Sequence, residues 1–153
     1  MALALALHLI SAVIWVGGMF FAHQMLRPVA ASQLEPPQRL MLWVGVFKRF
    51  FPAVFVTIVT LLASGYWMVL SFYGGFDAVG MHVHLMIWIG YLMILIFLHV
   101  FFAPFRRLKQ AVAAEDWPAG AKSLAQIRLL VGINTVIGLV VIAIASGGRF
   151  MLG

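Results

Sequence analysis

The chain has 153 residues, of which 65% are hydrophobic and only 9% are charged, and its formal net charge is +6. A soluble domain of this length cannot bury so much apolar side-chain surface, and an average one carries about 25% charged residues. Together with the absence of Cys, the composition excludes disordered proteins, disulfide scaffolds, zinc–cysteine sites and ordinary soluble enzymes, and it predicts a membrane protein.

Four apolar stretches are long enough to cross a bilayer, which takes about 20 helical residues. They predict an all-α integral membrane four-helix bundle that forms a single transmembrane domain over 1–153. The spans are predicted over about 3–26, 51–72, 81–103 and 127–145. The first stretch lacks a basic leader and is longer than a signal-peptide core, so we expect a retained span.

The segment over about 37–50 differs from the spans on either side because basic residues are mixed with apolar ones. Arg39, Lys48 and Arg49 lie among leucine, tryptophan, valine and phenylalanine residues. This mixture predicts a short interfacial amphipathic helix before span two. The alternative is a plain extension of span two. In the first interpretation, Pro52 lies in the first turn of span two.

Lys and Arg are distributed unevenly over this topology. Nine of the ten fall between spans one and two or around the connection between spans three and four, and only Arg149 lies on the other side. The positive-inside rule therefore predicts that both connections are cytoplasmic and both termini outward (N-out/C-out), in a bacterial-type inner membrane. Orientation and lipid headgroup contact account for the positive charge, so no nucleic-acid partner is expected.

Four of the five histidines form two matched pairs in spans one and three. His8 and His23 are 15 residues apart, and so are His84 and His99. Fifteen helical residues correspond to about 22 Å of rise and about 60° of rotation, so each span presents two imidazoles at two depths near one face. If the two spans face each other, His8 opposes His84 in the outer half and His23 opposes His99 in the inner half.

Two opposed imidazole pairs in a helical bundle predict axial ligands of haem iron. The expected cofactor is haem b, one or two per chain, with two favoured. Propionate groups need cationic partners near the membrane surfaces. The candidates are Arg27, Arg106 and Arg107 at the inner surface and Arg149 at the outer one. The alternative for a single histidine, above all His8 or His82, is a boundary residue wetted by headgroups.

The start of span three allows a second chemistry. Met81, His82 and His84 combine thioether and imidazole donors, which suit copper. His82 and His84 are about 200° apart around a helix, so only one of them can face span one. The spacing to His99 favours His84 and leaves His82 as a secondary or alternative ligand. Asn134, inside span four, is expected to bond across helices, to orient a ligand histidine or to contact a quinone.

Two parts of the chain resemble a known family. The segments Ala6–Ile10, Trp15–Phe20 and Leu26–Pro28 resemble the start of the copper-resistance D (CopD) superfamily, and Met81–Leu85, running on to Phe105–Lys109, is similar to its later helix and basic exit. The superfamily includes membrane-bound, haem-containing protoporphyrinogen oxidases of the HemJ type. The resemblance implies a small helical inner-membrane protein with b-type haem in the oxidase branch and a copper role in the other.

The match to the oxidase branch is partial. His8 matches the histidine of that branch's first helix, whereas His84 stands where the branch has a lysine. His23 and His99 have no clear counterpart there. These differences favour a symmetric haem protein with two histidine pairs over the oxidase activity.

The sequence therefore predicts a membrane b-type cytochrome with bis-histidine ligation, an oxidoreductase if it is an enzyme. Such a protein transfers electrons within the membrane with a quinone, superoxide or a similar small redox partner. One alternative is a HemJ-like protoporphyrinogen IX oxidase with one haem, and another is CopD-like copper transport or binding. The lipid bilayer is the expected surrounding, and the many small residues are compatible with a homodimer. No acidic residue lies in a predicted span, which argues against a carboxylate-driven pump or hydrolase.

Overall fold

Helices packed side by side make up the molecule, and no strand occurs in the part of the chain described. The computed structural model describes residues 1–151, apart from the side chain of Arg149. The helices are α1 (Ala2–Phe20), α2 (Arg27–Gln33), α3 (Pro36–Trp67), α4 (Met81–Phe102), α5 (Pro104–Ala113) and α6 (Trp117–Met151). Two π-helical stretches, Phe21–Leu26 and Met68–Phe72, continue α1 and α3 without a break, and a short turn of 3-10 helix, Phe76–Ala78, precedes α4.

Four helical segments are long and apolar enough to cross a membrane: Ala2–Gln33, Pro36–Phe72, Met81–Ala113 and Trp117–Gly148. The prediction of an all-α, four-span membrane protein is confirmed. The shortest segments have 32 residues, which is about 48 Å of helix against a hydrocarbon core of about 30 Å. Their ends therefore extend beyond the hydrocarbon. The N-out/C-out orientation stays a prediction.

The interfacial helix predicted over about 37–50 is not a separate element. It forms the first part of α3, which runs without interruption from Pro36 to Trp67, so the alternative of an extended span two is the one observed. The physical reason is a continuous stripe of buried side chains at helical spacing: Leu40, Trp43, Phe47, Phe51 and Val54. Pro52 lies inside the helix rather than in a first turn, and because it is on the exposed side its ring does not disturb this stripe.

Aromatic rings fill the space between α3, α4 and α5. The ring of Phe51 stacks on Phe47 at 4.8 Å between centroids and meets the edges of Phe97 and Phe105 at 5.5 and 4.9 Å. Such pairs contribute about 0.5–1.5 kcal/mol each beyond the burial of their area. This aromatic core lies toward one end of the bundle, called here the basic end, where Arg27, Arg39, Arg106 and Arg128 are found. The opposite end, where α1 and α4 begin, is called the distal end.

Three helices meet at Gly138, in the middle of α6. A Cβ atom at this position would lie 2.8 Å from Cγ2 of Val16 and 3.1 Å from Cε of Met93. Val16 of α1 and Met93 of α4 therefore lie at the same depth in the bundle. Elsewhere α1 packs most closely on α3 and α4 on α6, and α1 reaches α4 through large rings, as between Trp15 and Phe97.

The close approach at Gly138 makes a testable prediction. Gly138→Ala is expected to lower the free energy of unfolding by about 1–3 kcal/mol, because the added methyl group overpacks the crossing. Gly90, also inside a helix, has no atom within 4 Å of its ideal Cβ position. The matched variant Gly90→Ala is expected to be neutral or to stabilise by up to about 1 kcal/mol. Unfolding in detergent measures both, and equal effects would contradict the close approach.

Candidate functional site

The face of α1 that points into the bundle carries His8. Its spacing of three and seven residues from the buried Ser11 and Trp15 places all three side chains on one side of the helix. Nδ1 of His8 lies 3.0 Å from Oγ of Ser64 on α3. The Ser64 hydroxyl donates to the carbonyl oxygen of Thr60 at 2.6 Å, so its oxygen accepts the N–H of His8. This network assigns the proton to Nδ1 and leaves the lone pair on Nε2, the arrangement of an oriented metal ligand.

The His8 ring packs against Ser64 and Gly65 of α3. A Cβ atom on Gly65 would lie 3.3 Å from Cε1 of His8, so the missing side chain lets the ring approach the backbone of α3. Ser64 is a hydrogen-bond partner of His8 that the sequence did not reveal. A serine inside a span usually bonds a carbonyl of its own helix, which Ser64 also does, and nothing in its position along the chain indicates a partner on another helix.

His82 and His84 lie in the first turn of α4 and on different sides of it. His82 lies eleven residues before the buried Met93, so the two side chains point in directions only about 20° apart. His82 is therefore on the side of α4 that packs inward. A Cβ atom on Gly148 of α6 would lie 2.8 Å from Cβ of His82, so this end of α4 lies directly on α6. The sequence favoured His84 as the histidine that faces span one, and this contact of His82 with α6 does not test that prediction.

His84 points to another side of α4. It is nine residues before Met93, which turns it by about 180°, and seven residues before Tyr91, which shares its side. The Tyr91 hydroxyl forms a hydrogen bond with the hydroxyl of Tyr66 on α3. His84 is half-buried on this side and makes no hydrogen bond to a described residue. As a haem ligand it stays a prediction.

Counting along the helices from the contact at Gly138 gives each predicted histidine pair a similar depth. From the level at which Val16 and Met93 meet, His8 is eight residues and His84 nine residues toward the distal end. In the second pair, His23 lies seven residues after Val16 and His99 lies six residues after Met93, toward the basic end. Each pair therefore differs in depth by about 1.5 Å. No hydrogen bond joins the members of either pair within the described residues.

The second pair differs from the first in its surroundings. His99 is exposed on α4. Nδ1 of His23 accepts a hydrogen bond from the amide of Gln24 at 2.9 Å, and a Cβ atom on Gly132 would lie 2.8 Å from Nε2. His23 therefore packs on the backbone of α6. The π-helical stretch around it, which regular helical counting does not anticipate, helps to set this direction.

No group of three or more His, Cys, Asp or Glu side chains that could hold a metal ion is found among the described residues. A metal bound by this chain would therefore use fewer imidazoles together with other donors. Met81 is such a donor, since its thioether is exposed in the same helical turn as His82. The chemistry of this turn suits a soft metal ion.

A cavity of about 380 Å³ opens at the basic end between α2, α3 and α6, and Arg27, Arg39, Arg128 and His23 line it. The other predicted cations lie elsewhere. Arg106 and Arg107 are exposed on α5, where Arg107 donates to Oε1 of Gln126 at 2.7 Å. The predicted role of Arg149 concerns a side chain outside the described residues.

A second cavity of about 20 Å³ lies in the middle of the bundle, with a size that suits one water molecule. Trp15 and Asn134 both line it. Nε1 of Trp15 and Oδ1 of Asn134, a donor and an acceptor, are buried and have no hydrogen-bond partner among the described residues. Asn134 also donates through Nδ2 to the carbonyl oxygen of Met93 at 3.2 Å, so its predicted hydrogen bond across helices is confirmed.

Comparison with known proteins gives one result. A family model described as copper resistance protein D matches residues 44–147. No curated protein and no solved structure matches the chain. The matched region contains His82, His84 and His99 of α4, and it leaves out His8 of α1 and His23 of the π-helical stretch that follows. Because the match covers more than half of the chain, the protein belongs to the copper resistance protein D (CopD) family.

Proposed function

We propose that this protein binds copper at the distal end of the bundle, as a membrane component of copper resistance. The first turn of α4 carries the proposal, because Met81, His82 and His84 combine one thioether and two imidazoles within four residues. Thioether sulfur selects Cu(I), and imidazole nitrogen suits copper in either oxidation state. Met81 is exposed, so an ion arriving from this end meets it first.

His8 supplies a nitrogen deeper in the bundle. Measured from the level of Gly138, Met81 lies about 6 Å farther toward the distal end than His8. The hydrogen bond from Nδ1 of His8 to Ser64 directs the free Nε2 as a ligand. In this proposal a copper ion first meets Met81 with one histidine of its turn, and His8 is a donor at the next depth.

We infer that the distal end faces outward and that the basic end faces the cytoplasm of a bacterial-type cell. The inference rests on the positive-inside rule, since nine of ten Lys and Arg lie at the basic end or in its connections. In this orientation the copper donors meet ions from outside the inner membrane.

A second candidate is b-type haem binding with electron transfer to a quinone or another small partner. The matched depth of His8 and His84 favours it, and His8 has the hydrogen-bonded second nitrogen typical of an axial ligand. A bound haem would supply the one-electron chemistry. The second pair fits less well, because His99 is exposed and Nε2 of His23 lies against Gly132. The donor set therefore suits one haem better than two, as the oxidase alternative also requires.

Copper binding is tested by titrating the purified protein with Cu(I) against a chromophoric chelator. We expect His8→Ala, His82→Ala and the double variant Met81→Leu/His84→Ala each to weaken copper binding by about tenfold or more, since each removes donors. Ser64→Ala, which only releases the ring of His8, is expected to weaken it by about tenfold. His99→Ala is the control, because this histidine is exposed on the same helix at the other end.

Unchanged copper affinity in the His8 and His82 variants would contradict the proposed site. An equal loss in His99→Ala would do the same, since it would show that surface imidazoles bind the probe unspecifically.

The haem candidate makes its own prediction. Protein purified from a haem-replete host should show a Soret band that shifts on reduction with dithionite, with about one haem per chain in a pyridine haemochrome assay. The band is expected to disappear in His8→Ala and to persist in His99→Ala. A colourless protein after expression with haem supplementation would exclude this candidate and leave copper binding as the proposed function.

A further inference from the structure

The cavity at the basic end has three guanidinium groups in its wall and no carboxylate. Arg27, Arg39 and Arg128 come from α2, α3 and α6, and His23 lines the same space. We propose that this cavity binds the phosphate headgroup of an anionic phospholipid. The proposal is independent of copper or haem binding, for which the proposed ligands His8, Met81 and His82 lie at the other end of the bundle.

The positive charges around the cavity are not neutralised by the protein. The guanidinium groups of Arg27 and Arg128 form no ion pair and no hydrogen bond with the described residues, and both lie within Coulombic range of His23, which itself hydrogen-bonds to the backbone of Arg128. Glu35 is the nearest acidic residue along the chain, but it is exposed and does not line the cavity. Cations gathered beside a low-dielectric bundle attract an anion strongly, and a phosphate accepts bidentate hydrogen bonds from guanidinium groups.

Arg39 is held in position by the end of α2. Its Nη2 donates to the carbonyl oxygens of Ala31 and Leu34 at 3.3 and 3.1 Å. Its Nε is buried and has no acceptor among the described residues. A buried N–H without a partner is uncommon in folded proteins, and a phosphate oxygen is an acceptor that would satisfy it.

The remainder of the wall suits the apolar part of a lipid. Leu40, Trp43, Phe47, Ile127 and Val131 line the cavity together with the arginines. A volume of about 380 Å³ lies in the usual range of small-molecule sites and exceeds the needs of a free phosphate ion. Cations on one side and apolar residues on the other match a headgroup with the first part of its acyl chains.

The backbone around His23 has a form that accompanies binding sites. The π-helical stretch Phe21–Leu26 leads directly into α2, and the cavity is lined both by His23 within it and by Arg27 just after it. Single π-helical turns inside α-helices occur frequently at functional sites. The widened turn brings His23 and Arg27 to the same space as Arg128 of α6.

The test measures binding of phosphatidylglycerol and of phosphatidylcholine to the full chain in neutral detergent, by native mass spectrometry at a series of lipid concentrations. We expect preferential binding of phosphatidylglycerol, weakened about 10- to 30-fold in Arg27→Gln/Arg128→Gln. The control Lys48→Gln/Arg49→Gln removes the same charge from exposed positions outside the cavity and is expected to change affinity by less than about twofold.

Equal loss in both double variants would overturn the proposal, because it would show a general charge effect. Equal binding of the two lipids by the wild-type chain would also overturn it. Inorganic phosphate is the third probe. If it displaces phosphatidylglycerol at comparable concentration, the cavity is a site for free phosphate and the lipid assignment is wrong.

A measurement on the wild-type chain removes the dependence on variant folding. Phenylglyoxal modification of arginine, read by mass spectrometry, is expected to slow severalfold at Arg27 and Arg128 in phosphatidylglycerol relative to phosphatidylcholine. Arg106, exposed and outside the cavity, is expected to react at the same rate in both. Equal protection of all three arginines would contradict a specific site.

Discussion

The contact of α1, α4 and α6 at Gly138 sets the relative depth of the helices that carry the histidines. Because Gly138 has no side chain, Val16 and Met93 both pack against its backbone and therefore lie at the same depth. That level fixes the depth of every histidine on α1 and α4. The hydrogen bond from Asn134 to the carbonyl of Met93 lies one turn away on α6 and holds the same crossing. Within an apolar surrounding, such close packing and a few polar bonds are the main source of specificity between helices.

The two ends of the bundle have different chemistry as a result. The distal end carries imidazole and thioether donors with a single orienting hydroxyl, and the aromatic core is remote from it. The basic end combines that core with a cavity surrounded by guanidinium groups. The proposed soft-metal site and the proposed anion site are thereby separated by most of the length of the helices.

The sequence was sufficient for the parts of the fold that depend on hydropathy. It predicted four spans, the hydrogen bond of Asn134 to another helix and the family, and the depths of the histidines follow from their spacing. It could not give the direction of individual side chains. α4 is apolar on every side, so its inward face could not be identified from periodicity, and the preference for His84 over His82 as a ligand stays a prediction. Likewise α3 continues through Pro52, because the burial of its apolar stripe stabilises the helix more than the loss of one backbone hydrogen bond destabilises it. The contact of Ser64 with His8 depends on packing between helices, which the sequence does not show.

The π-helical stretch in the first span has a consequence for how chain length can vary. A π-helical turn accommodates one residue more than a regular turn, and each residue in a helix adds about 100° of rotation. Deletion of one residue within Phe21–Leu26 can therefore be absorbed by a return to regular α-helix, with His8 and Arg27 keeping their directions. A deletion earlier in α1 cannot be absorbed in this way, so it rotates the residues before it by about 100° relative to the residues after it. Among related chains, changes in the length of this span are therefore expected to concentrate in the widened turn.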